Sequence, residues 1–266
     1  MDTILYDWQL TDSHPLKIQY SIQGPRQNSL SADMHSAVHV GILPEGDLTM
    51  QHCGEKLSFH GGEIYLTAPW EPHRRLFSER GCILLLLTVA PDAVNRALLG
   101  GADKLNLLYR TAVRERQEIL NRLKLAPEHA QTILELLKKP DTPEREMRLW
   151  HAALGIFVEI ASLDFSAEPD PDYPRLLPAL RALGNVPLAV PEAAGLCNLS
   201  ESRFAHLFRR VFGMPFARYE RLYRLRCAAE EMDRLHSGLK ETAANWGFYD
   251  KSHLAKARRK YLSGPE

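Results

Sequence analysis

The segment LSESRFAHLFRRVFG, residues 199–213, carries the clearest pattern in the chain. Its apolar residues recur at steps of three and four, which predicts a helix with one apolar face. That face is formed by Phe204, Leu207, Phe208, Val211 and Phe212. The other face is formed by Ser202, Arg203, His206, Arg209 and Arg210. Because one face is apolar and the other is basic, the predicted helix has the character of one that enters the major groove of DNA.

The flanking residues support this interpretation. Ser200 is placed to cap the helix with its hydroxyl group. Residues 191–197, PEAAGLC, predict a shorter helix with Pro191 near its start. Asn198 tolerates the left-handed backbone of a tight turn between helices. Helix, turn and helix form the helix-turn-helix pattern, although the stretch alone also fits a surface helix with solvated arginines.

A similar plan recurs about fifty residues later in ETAANWGFYDKSHLAKARRK, residues 241–260. Ala243 and Ala244 are small enough to let two helices approach, the turn falls at 246–248, and Asp250 or Ser252 caps the next helix. Between the two plans, residues 216–235 predict one connecting helix. Such a helix would hold two recognition helices about 34 Å apart, one turn of DNA.

This order of parts resembles the AraC/XylS family of bacterial transcription regulators. The family pattern continues after the first helix-turn-helix with Gly and Tyr, then Arg-Leu-x-x-Ala, then Ala-x-x-x-Gly-Phe. The matching residues are Ala194, Leu199, Ser200, Phe204, Phe208, Gly213, Tyr219, Arg224, Leu225, Ala228, Ala243, Gly247, Phe248, Asp250 and Ser252. The resemblance spans roughly residues 178–260. It implies double-stranded DNA and RNA polymerase as partners, and an effector-sensing barrel in the N-terminal part.

The second plan departs from the family pattern. Arg258 stands where the family has a core Phe, Leu254 replaces another, and Ser263 replaces a Gly. Thr242 occupies a position where the family prefers an apolar residue. We therefore expect a second helix pair that is packed less firmly and that acts mainly on phosphates.

The predicted DNA contacts follow from position along each helix. Near the start of the first helix, Ser202, Arg203 and His206 are expected at base edges, and Arg209 and Arg210 further along at phosphates. In the second helix the main candidates are Lys251, His253 and Lys256. The full predicted set is Ser200, Ser202, Arg203, His206, Arg209, Arg210, Lys251, Ser252, His253, Lys256, Arg259 and Lys260. For each residue the alternative is a solvated group on an exposed face.

The charge distribution separates two parts of the chain. Residues 175–266 hold 16 Lys and Arg against 9 Asp and Glu, a net charge of +7, and the remainder carries −7. This indicates that the C-terminal third meets phosphate. No apolar run reaches eighteen residues, and the N-terminus lacks an export signal, so we expect a cytoplasmic protein without a membrane span. Four scattered cysteines fit a reduced protein.

The N-terminal part predicts many short strands separated by turns, which favours a barrel or a sandwich. The predicted strands are 4–10, 16–22, 36–43, 47–51, 56–59, 63–67 and 82–90. The segment GGEIYLTAPWEPH, residues 61–73, loosely resembles the second half of a cupin barrel. Pocket-lining candidates for an effector are Trp8, His35, Tyr65, Trp70 and His73. For the aromatic side chains, core packing is the alternative.

Histidines in this region raise a metal hypothesis, since metal-binding cupins use His-x-His, a Glu and a later His. The chain instead has His35-x-x-x-His39, without a Glu at the expected distance. We therefore predict scattered surface and lining histidines, no metal, no cofactor and no catalytic residue. Cys and Ser nucleophiles with a matching base are likewise not apparent in the sequence.

The remaining sequence predicts helices and a linker. Helices are expected over 127–139 and after a Thr142 cap, where an apolar stripe either packs on the barrel or forms a homodimer. That stripe is Met147, Trp150, Leu154, Phe157, Val158 and Ala161. Four prolines within 164–178 predict a stiff, non-helical stretch, followed by a helix over 178–184.

The predicted fold class is α+β. A cupin-like β-barrel (about 1–95) with a helical segment (about 103–163) makes up a sensing and dimerisation domain over 1–166. A linker over 167–177 joins it to an all-α DNA-binding domain with two helix-turn-helix motifs over 178–266. The predicted function is that of an effector-responsive transcription regulator, specifically an activator. The alternatives are a metal-dependent cupin enzyme with an accessory helical domain, and a DNA-binding protein that needs no ligand.

Overall fold

The computed structural model describes residues 10–25, 33–76, 80–99, 101–122 and 127–261. An antiparallel sheet forms first, and helices follow it. The strands are β1 (Leu16–Gln23), β2 (Val38–His52), β3 (Glu55–His60), β4 (Ile64–Thr67), β5 (His73–Arg75) and β6 (Cys82–Val89). The predicted strand over 4–10 lies almost wholly outside the described residues.

The helices fall into a group beside the sheet and a C-terminal group. The first group is α1 (Pro91–Ala97), α2 (Ala102–Arg110), α3 (Val113–Leu120), α4 (Pro127–Leu137) and α5 (Pro143–Ser162). The second group is α6 (Tyr173–Arg181), α7 (Val190–Leu196), α8 (Glu201–Phe212), α9 (Phe216–Leu235), α10 (Leu239–Asn245) and α11 (Lys251–Tyr261). None of the helices in the described ranges is both long and apolar enough to cross a membrane.

The long strand β2 organises the sheet. It pairs with β6 and β4 over its first half and with β3 and β5 over its second half. The strand order is β1-β6-β2-β3, and the pairings among the described residues do not close into a barrel. The predicted cupin-like barrel is therefore not confirmed, whereas an N-terminal sheet domain is present.

Two strand predictions are wrong in detail. The sequence places a turn at Pro44-Glu45-Gly46, but β2 continues through it with a shift in register between Ile42 and Glu45. Gly46 takes a positive φ of 86° there, and a Cβ atom would lie 2.2 Å from the Gly81 carbonyl oxygen. The sequence suggests two strands on either side of a turn, whereas the structure has one strand with an irregularity at this point. The sequence also does not predict the short strand β5, because three residues carry no alternation.

The N-terminal core lies between the sheet and α5. Strand β6 is buried along nearly its whole length, as its continuous apolar run predicts. Thr142 accepts a hydrogen bond from the Arg145 amide at 3.2 Å and so caps α5, as predicted. Helix α5 buries Ile156 and Phe157 against this core. Met147 and Val158, which belong to the predicted stripe, are instead 65% and 50% exposed.

The proline-rich segment is shorter than predicted, because α6 begins at Tyr173 instead of Pro178. Pro174 stands in the first turn, where a missing amide hydrogen is tolerated. Pro178 lies inside the helix. The helix therefore begins inside the stretch that was predicted to be non-helical, since only Pro178 falls at a position that interrupts helical hydrogen bonds.

Candidate DNA-binding surface

Helix α8 forms as its sequence predicts. The Ser200 hydroxyl accepts a hydrogen bond from the Arg203 amide at 3.3 Å, and Asn198 takes the left-handed conformation, with φ of 52°, at the turn after α7. Gly213 ends the helix with φ of 69°. These local features fix where α8 begins and ends.

An aromatic cluster holds α8 against α9. Phe208 stacks on Phe212 with ring centroids 4.6 Å apart, and it meets the edges of Phe216 and Tyr219 at 5.0 and 5.1 Å. Phe204 completes the cluster and is fully buried. Such pairs add stability beyond the apolar area they bury. The inner face of α8 is therefore firmly packed on α9, and this packing holds the outer face in position.

The exposed face of α8 carries most of the predicted contact residues. Ser202, Arg203, His206 and Arg209 are all exposed. Arg210 has other partners: its Nη2 atom lies 2.6 Å from Asp170 Oδ1 and 2.7 Å from Asp172 Oδ2. The structure thus presents four side chains outward and directs the fifth toward carboxylates of the segment before α6.

Helix α9 connects the two helix pairs, and it has the bounds that the sequence predicts. Its Glu220 accepts hydrogen bonds from the Leu188 amide at 3.3 Å and from Arg224 Nε at 2.5 Å. Arg224 in turn donates to the carbonyl oxygen of Trp246 at 2.7 Å. Both ionic side chains are buried. One buried ion pair on α9 therefore contacts the segment before α7 and the turn after α10.

The second helix pair, α10 and α11, has a thinner core. Asp250 caps α11, with its Oδ1 atom accepting from the His253 amide at 2.7 Å. The buried residues here include Ala228, Ala229, Ala243 and Ala257. Because alanine buries little area, this pair is held by less apolar contact than α8. Arg258 is half-buried, where its guanidinium lies 3.7 Å from the sulfur of Met232.

The outward residues of α11 match the predicted set. Lys251, Ser252, His253, Lys256 and Arg259 are exposed, whereas the side chain of Lys260 lies outside the described residues. The sequence interpretation missed Tyr249, which is 92% exposed immediately before α11. The sequence could have indicated Tyr249 through its position directly before the capping residue Asp250. The His253 Nδ1 atom accepts a hydrogen bond from the Tyr249 amide at 3.3 Å.

The structure places the predicted effector-lining residues in different surroundings. Tyr65 packs in the sheet core against Phe59, with ring centroids 5.2 Å apart. Trp70 packs on Tyr223 of α9 with centroids 4.6 Å apart. Trp8 lies outside the described residues. His35 and His73 come together around His39, which was not among the predicted lining residues. The Trp70 amide donates to the His35 carbonyl oxygen at 2.7 Å.

The sheet and the C-terminal helices are in direct contact. The Tyr219 hydroxyl donates to the Trp70 carbonyl oxygen at 2.9 Å. Asp33, just before β2, forms an ion pair with Arg226 of α9. Gly213 lies so close to the chain at Gly54 that a Cβ atom would be 2.2 Å from the Gly54 nitrogen. Contacts of this kind give the N-terminal half a physical connection to the helices around α9.

Comparison with known proteins agrees with this geometry. Residues 193–264 match the family described as a helix-turn-helix domain. A structure of ToxT from Vibrio cholerae bound to (E)-4-(8-methylnaphthalen-1-yl)but-3-enoic acid is 8% identical, with a TM-score of 0.50 over 93% of this chain and 95% of that one. An apo ToxT variant is 12% identical, with a TM-score of 0.50 over 95% of both chains.

At such low identity, the likeness to ToxT shows a shared fold, with a sheet domain followed by a helical domain. No curated protein sequence matches the chain. The family match covers α8 through α11, the part of the chain in which the sequence motifs were found. Residues 193–264 therefore form an AraC-type helix-turn-helix domain, which confirms the resemblance to the AraC/XylS transcription regulators.

Proposed function

We propose that the protein is a transcription regulator that binds specific DNA through α8 and responds to an effector through its N-terminal half. The observation that carries this proposal is the capped helix α8, supported by aromatic packing and presenting Ser202, Arg203, His206 and Arg209 outward. Polar and basic side chains on the first turns of such a helix reach base edges in the major groove.

The second helix pair is proposed as a second DNA-reading motif. Its support is the repeated arrangement of a short helix, a tight turn at Gly247 and a capped helix with exposed Lys251, Lys256 and Arg259. The alanine-rich core and the predominance of lysine favour contacts with phosphates over base reading. Ser252, His253 and Tyr249 would then lie near the DNA at the start of α11.

The domain boundaries are part of the proposal. Residues 1–166 would sense and dimerise, 167–177 would link, and 178–266 would bind DNA. Since α6 starts at Tyr173, the first residues of this helix fall within the proposed linker. The ion pair between Asp33 and Arg226 supports communication between the two parts.

An effector would act by binding two arrangements of these parts with different affinities. ToxT has been solved with a small organic acid bound, and this supports a search for an effector of this chain without identifying it. Activation through contact with RNA polymerase is proposed from the family resemblance.

A homodimer through α5 is also proposed. Met147 and Val158 are eleven residues apart, so they lie on the same side of the helix, and both are largely exposed. Apolar side chains in this arrangement favour pairing of two copies. We further propose that the protein is cytoplasmic, because in bacteria the DNA that such a domain binds lies in the cytoplasm. We also propose that it is not an enzyme.

Selection of DNA fragments from a random pool by the full-length protein tests the proposal. We expect a shared motif with two short boxes about one helical turn apart. A single box would show that α11 contacts the DNA backbone only. The proposal would be contradicted if neither the full-length protein nor the C-terminal domain alone enriched any sequence from the pool. A ligand-independent regulator would be indicated if no small molecule in a panel raised the thermal stability.

A further inference from the structure

Three histidine rings form a compact buried cluster between β2, β5 and the segment before β2. The centroids of His35 and His39 are 4.1 Å apart, and those of His73 lie 5.1 and 5.3 Å from them. One ring nitrogen of each residue lies within 4.8 Å of a ring nitrogen of the other two. Three nitrogens around one zinc ion lie about 3.3 Å apart, so small side-chain rotations would bring these to binding distance.

Hydrogen bonds orient two of the rings. The Nδ1 atom of His35 lies 3.1 Å from the Ala37 carbonyl oxygen, and the Nδ1 atom of His73 lies 2.9 Å from the Glu71 carbonyl oxygen. Because a carbonyl oxygen only accepts, Nδ1 carries the hydrogen in both rings, and Nε2 carries the lone pair. This is the arrangement by which backbone carbonyls orient metal-binding imidazoles.

The three imidazoles are shielded from water, and a metal ion binds the neutral form of such a ring. All three residues are less than one-tenth exposed. Three neutral imidazoles held together away from water form a ligand set that suits metals with a preference for imidazole.

The backbone around the cluster is fixed. Asp33 and His73 exchange two backbone hydrogen bonds, of 2.7 and 2.9 Å, which hold the segment of His35 beside β5. His39 belongs to β2, whose pairing with β4 and β6 fixes its position. The three ligand-bearing segments are therefore joined by the sheet itself, and a metal ion would require little backbone rearrangement.

We propose that His35, His39 and His73 bind a divalent transition-metal ion of the zinc type. The three imidazoles supply three ligands, and the fourth position is left for water or another small ligand, as in open zinc sites. A cleft of about 180 Å³ lies beside His73, and its other walls include Gln51, Gly54, Phe212 and Met214. Part of this wall belongs to α8 and to the residues that follow it.

The neighbouring group His52, Cys53 and Glu71 is the competing candidate, since it also gathers three ligand types. Its carboxylate is already engaged: Glu71 receives two hydrogen bonds from Arg116, at 2.6 and 2.7 Å, and one from His52 at 2.8 Å. Burial alone would raise the pKa of Glu71, but Arg116 and His52 hold it well below its usual range. This group is a buried network of ion pairs and hydrogen bonds centred on Glu71.

The site lies beside the contact between the sheet and α9. Asp33, two residues before His35, forms the ion pair with Arg226. Metal binding would therefore add positive charge close to the carboxylate that pairs with Arg226. An effect of the metal on DNA affinity rests on the proposed function, whereas metal binding itself does not, so the two are measured separately.

The test uses full-length, tag-free protein treated with a chelator and then titrated with Zn²⁺ against a chromophoric competitor. We expect one zinc ion per chain and, with Co²⁺ instead, the visible absorption of a nitrogen-coordinated ion of low coordination number. His39→Leu should weaken binding at least 100-fold. Because leucine suits a buried site, that variant should keep the circular dichroism of the parent protein.

His39→Gln provides a second variant, in case His39→Leu fails to fold, and it should lose zinc in the same way. The matched control is His60→Ala, because His60 is exposed and pairs with Asp47 away from the cluster. It should retain full zinc binding. Less than stoichiometric binding by the parent protein, or equal affinity in the parent and the folded His39 variants, would overturn the proposal.

Discussion

The guanidinium of Arg210 on α8 is paired with the carboxylate of Asp170, with 2.6 Å between Nη2 and Oδ1, and also with Asp172. The sequence predicts Arg210 as a phosphate contact. In the structure that contact would require exchange of two carboxylates for phosphate. The segment before α6 thus competes with DNA for one basic side chain of the recognition helix.

We predict that Asp172→Asn strengthens DNA binding, because it removes one of the two carboxylates that hold Arg210. If Arg210 then contacts a phosphate, the slope of log K against log salt should steepen by about 0.9. The measurement is a salt series of binding isotherms. Asp103→Asn, which makes the same charge change at an exposed position of α2, should leave the slope unchanged; equal slopes for the two variants would refute the competition.

The two helix pairs should respond differently to loss of one arginine. Arg203→Ala should weaken binding to the preferred site by about 1–3 kcal/mol and leave random DNA little affected, because it removes a base-edge contact. Arg259→Ala should weaken all sequences alike and flatten the salt dependence. Competition binding with specific and random duplexes measures both. Equal loss on every duplex for Arg203→Ala would rule out its base-reading role.

Gly213→Ala should destabilise the protein by about 1–2 kcal/mol from its left-handed backbone alone, and more from the contact with Gly54. Gly195→Ala is the matched control, since a Cβ atom there would meet no atom within 4 Å and α7 favours alanine at that position. It should leave stability unchanged or raise it by about 0.5 kcal/mol. Denaturant midpoints compare the two variants, and a tolerated Gly213→Ala would contradict the close packing.

The ion pair on α9 should hold the second helix pair in place. Arg224→Ala leaves buried Glu220 and the Trp246 carbonyl oxygen without this partner, which costs about 3–5 kcal/mol locally. Hydrogen exchange should therefore accelerate in α10 and α11. Arg221→Ala, on the exposed side of the same helix, is the control and should exchange as the parent does. Unchanged exchange in Arg224→Ala would remove this role.

Local pattern is enough to predict most elements. The bounds of α9 and the cap of α8 follow from apolar spacing and from single residues such as Ser200. The merging of two strands into β2 is not predictable in this way, since a Pro-Glu-Gly turn signal is also compatible with a strand irregularity. The early start of α6 was not predicted, because the prolines were counted without considering that a proline in the first turn of a helix is tolerated.

Long-range contacts explain what the sequence could not supply for the site. Arg210 and Asp170 are forty residues apart, and no local pattern relates them. The histidine cluster likewise joins His35 and His39 to His73 through strand pairing. The expectation of scattered histidines is wrong for these three residues. The His-x-His motif describes spacing along the chain, whereas these rings are brought together by the geometry of the sheet.

Sequence reading by α8 is best measured as the ratio of the full-length protein's affinities for its selected DNA site and for random DNA, at one fixed salt concentration. A sequence-specific regulator that reads bases through α8 should bind its site at least about 10³-fold more tightly. The same ratio should fall for Arg203→Ala. A ratio near one in the parent protein would mean that the exposed face of α8 does not read sequence, and it would contradict the proposed function.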